Sequence, residues 1–597
     1  MKVRNVYFVA VAVLLCACHK EENNMVQLCI EYLNGGSKLL VDNTSYTTAT
    51  WTDGDYINFN GELAQVEHIN GDAYIRNVTS LSVNRACFPA TLAASLGSDA
   101  ITVNLPTEYH YRTSGARQMV DMPLVARASD GDPLEFKHLT SALCITIKNT
   151  QGVPLAVDRV TVGSDAYLLS GSRSVDLTAI ESFGPQAHGG SVDTTVTMYF
   201  DKERLTVASD GSATVLIPVP PVGSGNHFTV TVVAHNEGSR YTYRKTQTAG
   251  GVLDRNVLAY AHFGMTGGSP TKLFDVDGST YYIRSAVDFV NMVDAVNNKW
   301  TLPAGSITKY SSCSFKVDAD LDMSGITIKP ITGYTGATFD GNNKTISNLT
   351  VADTSVSPTI ASCGLFSKVP AKTVQNLTLR NLVLVSTQTE SYLYMGGLAG
   401  EMVGATITGC TVDGLTVSVD NISSAIYLGG IAGHVQEALT LTNVAVNWSQ
   451  SFSLSVPSVS YGGMLGYCEA TNTSNLTMSN CDVYNSPLSI NTGQLYAGGF
   501  IGYASSEHIT MESGCNWATN MTFDGGSSTI YVGGLVGYLV KGSYFGQLSA
   551  TNCTVSGTIT ANTTGTNYVG ACVGYKVGYP SVSFSGTDTT DLNVTGN

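Results

Sequence analysis

A chain of 597 residues has room for about three or four domains. Only 13% of it is charged while 61 residues are glycine, a balance that suits β-rich extracellular modules better than a cytosolic enzyme. The formal net charge of −15 leaves no basic stripe to neutralise phosphates, which argues against nucleic acid as a partner.

The chain opens with a short basic start, Met1 to Asn5, and an apolar run from Val6 to Leu15. That run is too short to span a bilayer and has the shape of a secretion signal. It ends Leu15-Cys16-Ala17-Cys18, which resembles the lipobox of bacterial lipoproteins. The resemblance implies a signal peptide over 1–17, acylation of Cys18 (palmitate among the acyl groups) and a lipid tether over 18–24. A diacylated N-terminus buries enough CH₂ groups for stable anchoring. Lys20, Glu21 and Glu22 follow at once. A lysine and two acidic residues in that place resemble the signal that sends lipoproteins to the cell surface in a Gram-negative phylum of gut and oral anaerobes. The location expected is the outer membrane, lipid-anchored and facing the extracellular side. Losing Cys16 and modifying Cys18 would take 13 cysteines to 11, an odd number that forbids a complete disulfide framework. Most of them read as small buried apolar residues, with one or two disulfides left open.

Residues 25–135 read as short strands with turn punctuation. Val26 to Tyr32 alternates, Asn34-Gly35-Gly36 turns, and Trp51-x-x-Gly54-Asp55 feeds a strand. A second unit, taken over 136–266, runs through Leu134 to Asn149, Leu155 to Val162, Val215 to Pro220 and Phe228 to Val233, and closes at Val257 to Phe263. Short strands at this spacing predict a β-sandwich. The Trp51 element, Phe136 to Leu143 ahead of alternating strands, and Leu216-Ile217-Pro218 resemble the fimbrillin-like (Mfa-like) surface lipoproteins of the same phylum. The resemblance covers about 25–265 and implies two tandem transthyretin-like β-sandwiches that build or decorate fimbriae. In polymerising members an Arg-specific protease cuts after the first strand, opening a groove for a neighbour's strand. Between Cys18 and Trp51 this chain has Lys20 and Lys38 but no arginine, so a lipid-anchored monomer or accessory subunit fits better than a shaft subunit.

Residues 267–284, opening Gly267-Gly268-Ser269-Pro270, read as a linker. Ser285 with Asp288 forms a capping box, and Ala286, Phe289, Val290, Val293 and Val296 follow at helical spacing. This predicts a helix over 285–298, placed to cover the open first coil of a repeat array. From 394 to 575 one phrase recurs six times, first as Tyr394-Met395-Gly396-Gly397-Leu398-Ala399-Gly400. The leading glycines are Gly396, Gly429, Gly462, Gly498, Gly533 and Gly570, at intervals of 33, 33, 36, 35 and 37. Such a period means stacked structural units. Gly397, Gly430, Gly463, Gly499 and Gly534 complete the pairs and allow tight bends where neighbouring coils approach. Runs between the phrases, such as Leu476 to Val483 and Ala550 to Val555, alternate without a helical stripe, so the stack is a β-solenoid over 285–597. The phrase resembles the GLUG motif (Gly-Gly-aliphatic-x-Gly) of bacterial surface proteins. The lead-in Phe315 to Gly325, Phe339 to Leu349, Gly364 to Phe366 and Val374 to Leu379 resembles the usual start of such arrays. The likeness covers about 270–597 and implies architecture, since the array occurs in adhesins, in enzymes and in proteins of no known role.

Chemistry is sparse. HExxH, GxSxG and a P-loop are all missing, and the ten histidines are dispersed without metal-ligand spacing. Asp318, Asp320 and Asp322 share one strand face and Asp340 to Asn343 forms a polar turn; either could meet Ca²⁺, but they read first as solvated carboxylates and an Asx turn. Tyr467, Tyr503, Tyr538 and Tyr575 hold one phrase position, where Glu401 and His434 stand in the first two copies. Tyr394, Tyr427, Tyr496, Tyr531 and Tyr568 hold another. Stacked into ladders, these rows could receive sugar rings or peptide, or simply keep the coils in register.

The sequence therefore predicts an all-β protein: two tandem β-sandwiches, then a GLUG-type β-solenoid with a short capping helix. It predicts no catalysis, no cofactor and no metal. The function expected is a surface adhesin or accessory, tip-type fimbrial subunit. Its partners would be host or bacterial surface proteins or glycans, other fimbrial subunits, and the outer membrane through the lipid anchor. A glycan-binding or glycan-active protein and a structural fimbrial subunit stay open as other readings.

Overall fold

Period-2 alternation dominates the chain, and the computed structural model is correspondingly all-β, with Ala286–Asn297 the one α-helix among the described residues. These residues are 25–31 and 51–596, apart from 52, 98, 115–116, 192, 304–307, 354–359, 388–391, 420–424, 450–451, 470–474, 485–487, 506–507, 513, 525–528, 541–546, 563–564 and 579. The expected signal peptide and tether, with Cys18, Lys20, Glu21 and Glu22, lie outside them. Two units divide the chain: Met1–Asn236 with Tyr241–Ser269, and Glu237–Arg240 with Pro270–Asn597.

In the first unit seven strands close a barrel, in the order Val26–Ile30, Leu134–His138, Leu124–Ser129, Val83–Phe88, Tyr56–Phe59, Glu62–Ile69, Asp72–Ile75. Val26–Ile30 closes the ring, parallel to Leu134–His138 and antiparallel to Asp72–Ile75. Glu31, just beyond it, accepts from the backbone N–H of His138 and from Arg255, each at 2.5 Å. Trp51 fills the interior edge-on to Phe88 at 5.3 Å and Phe136 at 5.0 Å. The division drawn at 135/136 thus falls inside a barrel strand, because Leu134, Phe136 and His138 alternate into this core. In the second half Ser141–Asn149 lies between Ser212–Val219 and Leu258–Met265, and Leu155–Ser164 pairs with Thr195–Tyr199 and Phe228–Asn236. The halves are laced together, since Ala100–Leu105 pairs with Gly171–Asp176 and Glu108–His110 with Thr195–Tyr199.

The second unit begins earlier than expected. The stretch 267–284, read as a linker, carries the strands Thr271–Lys272, Val276–Asp277 and Thr280–Ile283. Leu273, Phe274, Tyr281 and Ile283 are buried, with Phe274 edge-on to Tyr310 at 5.3 Å and Phe315 at 5.5 Å. Four apolar side chains with a core to enter cannot remain a solvated tether. The Ser285 hydroxyl caps the helix by accepting from the Asp288 N–H at 3.1 Å, while the Asp288 carboxylate accepts from the Arg284 N–H at 3.0 Å. Phe289, Met292, Val293, Ala295 and Val296 face the core that Ile283, Phe315 and Val317 of the first rungs share. Ser285→Ala is expected to cost about 1 kcal/mol, read as a lowered urea midpoint of this unit.

From Thr280 the chain winds as a parallel β-solenoid. One column shows the stacking: Tyr281, Phe315, Phe339, Val374, Ile407, Leu441, Met478, Met511 and Ala550 stand in register and buried, rung over rung, with the exposed Phe584 over the last of them. Two further faces are seven-stranded parallel sheets. One runs from Ile360–Cys363 to Asn567–Gly570 and the other from Phe366–Val369 to Val573–Val577.

Candidate functional site

The glycine phrase is the sharp corner between those two sheets. Gly396, Gly429, Gly462, Gly498, Gly533 and Gly570 form one register column at the strand ends. A Cβ on Gly498 would stand 1.9 Å from the carbonyl oxygen of Ile501, three residues on. On Gly499 it would stand 2.1 Å from the carbonyl oxygen of Gly534 in the next rung. The first glycine makes room for the turn and the second for the stack, and Gly397, Gly430, Gly463 and Gly534 meet the next rung in the same way.

Holding these corners in register brings two aromatic rows together. One column reads Lys368, Glu401, His434, Tyr467, Tyr503, Tyr538, Tyr575. The other reads Tyr394, Tyr427, Ser460, Tyr496, Tyr531, Tyr568. Within the first, successive tyrosine rings lie 4.8, 5.1 and 5.7 Å apart. Within the second, Tyr496, Tyr531 and Tyr568 stack at 5.3 and 5.0 Å. Between the columns the rings meet edge to face, Tyr496 on Tyr503 at 5.1 Å and Tyr531 on Tyr538 at 4.8 Å. At the Ser460 gap, Tyr427 stacks on Tyr467 at 4.7 Å.

The rows are therefore one interlocked double ladder. Interior rings have both faces covered by the rungs above and below, so their remaining exposure lies at edges and hydroxyls; Tyr575, in the last described rung, is 37% exposed. Burial first, then neighbouring carboxylates and phenols, pushes Tyr394 and Tyr427 up to about 12. Burial also raises Tyr467, Tyr503 and Tyr538, so the row offers neutral hydroxyls that both donate and accept.

His434 sits where the tyrosines of its column begin, 2% exposed, with ring centroids of Tyr394 at 4.5 Å and Tyr467 at 5.4 Å. Neither ring nitrogen makes a well-formed hydrogen bond. The nearest carboxylate oxygens are Glu469 Oε2, 3.5 Å from Nε2, and Glu401 Oε1, 3.8 Å from Nδ1; Glu401 is itself paired to Lys368 at 3.0 Å. Burial outweighs the attraction of Glu469 and lowers the imidazole to about 4.

The weighed calcium positions are occupied by protein donors. Asp318 accepts from Arg284 at 3.0 Å, Asp320 from the Thr345 N–H at 2.8 Å, and Asp322 from the Ser324 N–H at 3.0 Å and Asn348 at 2.9 Å. Asp340 accepts from the Asn342 N–H at 2.8 Å, an Asx turn. Among the described residues no group of three or more His, Cys, Asp or Glu could hold a metal ion.

One recurring feature escapes a reading of the phrases. Asn376, Gly409, Asn443, Asn480, Gly514, Asn552 and Gly586 all have positive φ and turn a second corner, each followed in most rungs by a buried apolar or thiol side chain. The pairs Gly409-Cys410, Asn480-Cys481, Gly514-Cys515 and Asn552-Cys553 are the sequence signal of it.

No protein-family profile and no curated relative matches the chain. Among solved structures it is similar to a proposed cell adhesion protein from Bacteroides ovatus, with TM-score 0.25 and 15% identity over 44% of this chain and 100% of the other. A second, from Bacteroides fragilis, gives TM-score 0.23 and 12% identity over 42% of this chain and 99% of that one. A third, from Bacteroides uniformis, gives 0.19 and 14% over 38% and 97%. Scores this low place no residue of one chain on a residue of the other.

Proposed function

We propose that the chain is a non-enzymatic surface adhesin, held by a lipid on Cys18 to the outer face of the outer membrane, whose GLUG-type solenoid binds a host or bacterial protein or glycan along its tyrosine rows. The observation that carries the reading is the double ladder. The same hydroxyl-bearing chemistry recurs on successive rungs, about 4.8 Å apart in a parallel sheet. A partner with its own repeat, such as an extended peptide or a polysaccharide, could meet several rungs at once, and each further contact would be intramolecular. The fimbrillin-like half would serve as stalk or docking module. Its first strand is held on both sides and clamped by Glu31 and Arg255, which favours an accessory subunit over one that gives up that strand.

The full chain, immobilised and offered purified glycans, matrix proteins and bacterial surfaces, is expected to bind one class saturably. Tyr538→Ala and Tyr575→Ala are expected to weaken that binding at least tenfold, about 1.4 kcal/mol. Binding confined to saccharides would select the glycan-binding reading. Binding that ignores both substitutions, or no binding to any class, would overturn the proposal.

A further inference from the structure

Three of the eleven described cysteines differ from the rest in their neighbours. The register pairs Asp482↔Asn516 and Asn516↔Thr554 place Cys481, Cys515 and Cys553 directly over one another on three successive rungs. The Thr554 N–H donates to the Cys515 carbonyl at 3.0 Å, so the alignment continues through the corner itself. All three side chains point inward and are at most 1% exposed. The other cysteines have no such company. Cys363 stands beside Met395, Cys468 between Val435 and Ala504, and Cys144 between Leu216 and Tyr260.

Neighbouring in-register residues of a parallel sheet stand about 4.8 Å apart, inside the 4.4–6.8 Å Cα span that a disulfide bridges. We propose that this column is a disulfide site, in which Cys515 bonds one of its two in-register neighbours while the third thiol stays free to exchange with it. The middle position suits Cys515 to begin the reaction. Of the three it alone has a cysteine on the rung to either side, so whichever neighbour comes into register first can complete the bond. The Cys515 thiolate attacks a sulfur of a small disulfide such as oxidised glutathione, forming a mixed disulfide and releasing one glutathione thiolate. The neighbouring thiol then loses its proton and attacks the Cys515 sulfur, forming the protein S–S bond and expelling the second glutathione. Two protein thiols have then given up two protons and two electrons, and one glutathione disulfide has become two thiols. Since the finished column is buried, the bond closes while the rungs are still assembling.

The test uses the full chain, unfolded and refolded with oxidised and reduced glutathione, quenched with acid, then denatured and alkylated with N-ethylmaleimide so that buried free thiols are reached, and mapped by peptide mass spectrometry without reductant. The expected result is a cross-linked peptide joining Cys515 to Cys481 or Cys553, with loss of the two corresponding maleimide adducts. Cys481→Ser is expected to leave the Cys515–Cys553 link alone, and Cys515→Ser to abolish linkage in the column. Maleimide on all three cysteines of the refolded chain would overturn the proposal. So would a Cys481–Cys553 link in Cys515→Ser, because those residues are two rungs apart. Should Cys515→Ser fail to fold, the Cys481→Ser map decides by itself.

Discussion

Gly498→Ala is expected to cost about 4–5 kcal/mol, at the far end of what single substitutions do. The added methyl would lie 1.9 Å from the carbonyl oxygen and 2.7 Å from the carbonyl carbon of Ile501, and 2.8 Å from the amide nitrogen of Gly537. All three are backbone atoms, so no rotamer change relieves the clash. Ile501 is in register with Leu465 below and Val536 above, and moving its carbonyl breaks pairing with both rungs. The loss should appear as a lowered urea midpoint of the second unit, and the same corner positions Tyr496 and Tyr503, so the ladder should loosen with it. Gly152→Ala, in the first unit, where an added Cβ meets nothing within 4 Å, should shift the stability of that unit by less than about 0.5 kcal/mol, the scale for an alanine that meets no obstacle. An unchanged midpoint for Gly498→Ala would mean that the corner is not packed as described.

That corner was legible because its cause is local and repeats: a carbonyl three residues on excludes a side chain, and the exclusion recurs in every rung. Features set by residues a full rung away were not. The third copy of the phrase has one residue fewer between its tyrosine and its first glycine. Tyr461 consequently falls in register with Leu428 and Ala497, points inward, and packs on Trp448 at 5.4 Å, leaving Ser460 in the aromatic row. Alternation from Leu476 to Val483 reads as one straight strand, yet Asn480 within it has φ 51° and bends the chain. A sequence window sees apolar alternation continue on both sides of such a residue and cannot see the corner. The stretch 267–284 misleads in the opposite sense, since its glycines and aspartates hide the inward pair Tyr281 and Ile283. His434 stood out as a break in the tyrosine column, but its isolation depends on Tyr394 and Tyr467, which arrive from the rungs on either side.

That isolation makes the second unit sensitive to acid. The groups facing His434 are Glu401, Glu469 and Lys368 with the phenols of Tyr394, Tyr427 and Tyr467, and burial among them lowers the imidazole to about 4 from its ordinary 6.5. In the unfolded chain the histidine takes up a proton near 6.5, whereas in the folded chain it resists until about 4. The unfolded state therefore binds more protons between these values, and stability falls as pH drops through the window, levelling below it. A shift of this size corresponds to roughly 3 kcal/mol across the window. His434→Phe keeps a flat ring between Tyr394 and Tyr467 but has nothing to titrate. Urea unfolding of both proteins from pH 7 to pH 4 should show the wild type losing stability relative to the variant, by about 2 kcal/mol at pH 5. Groups remote from the ring are common to both proteins, so the difference between the curves reports this ring together with the Glu401 and Glu469 carboxylates that face it. Parallel curves would mean that His434 accepts its proton as readily in the folded rungs as in the open chain, and that the ladder's first histidine is a wet position rather than a dry one.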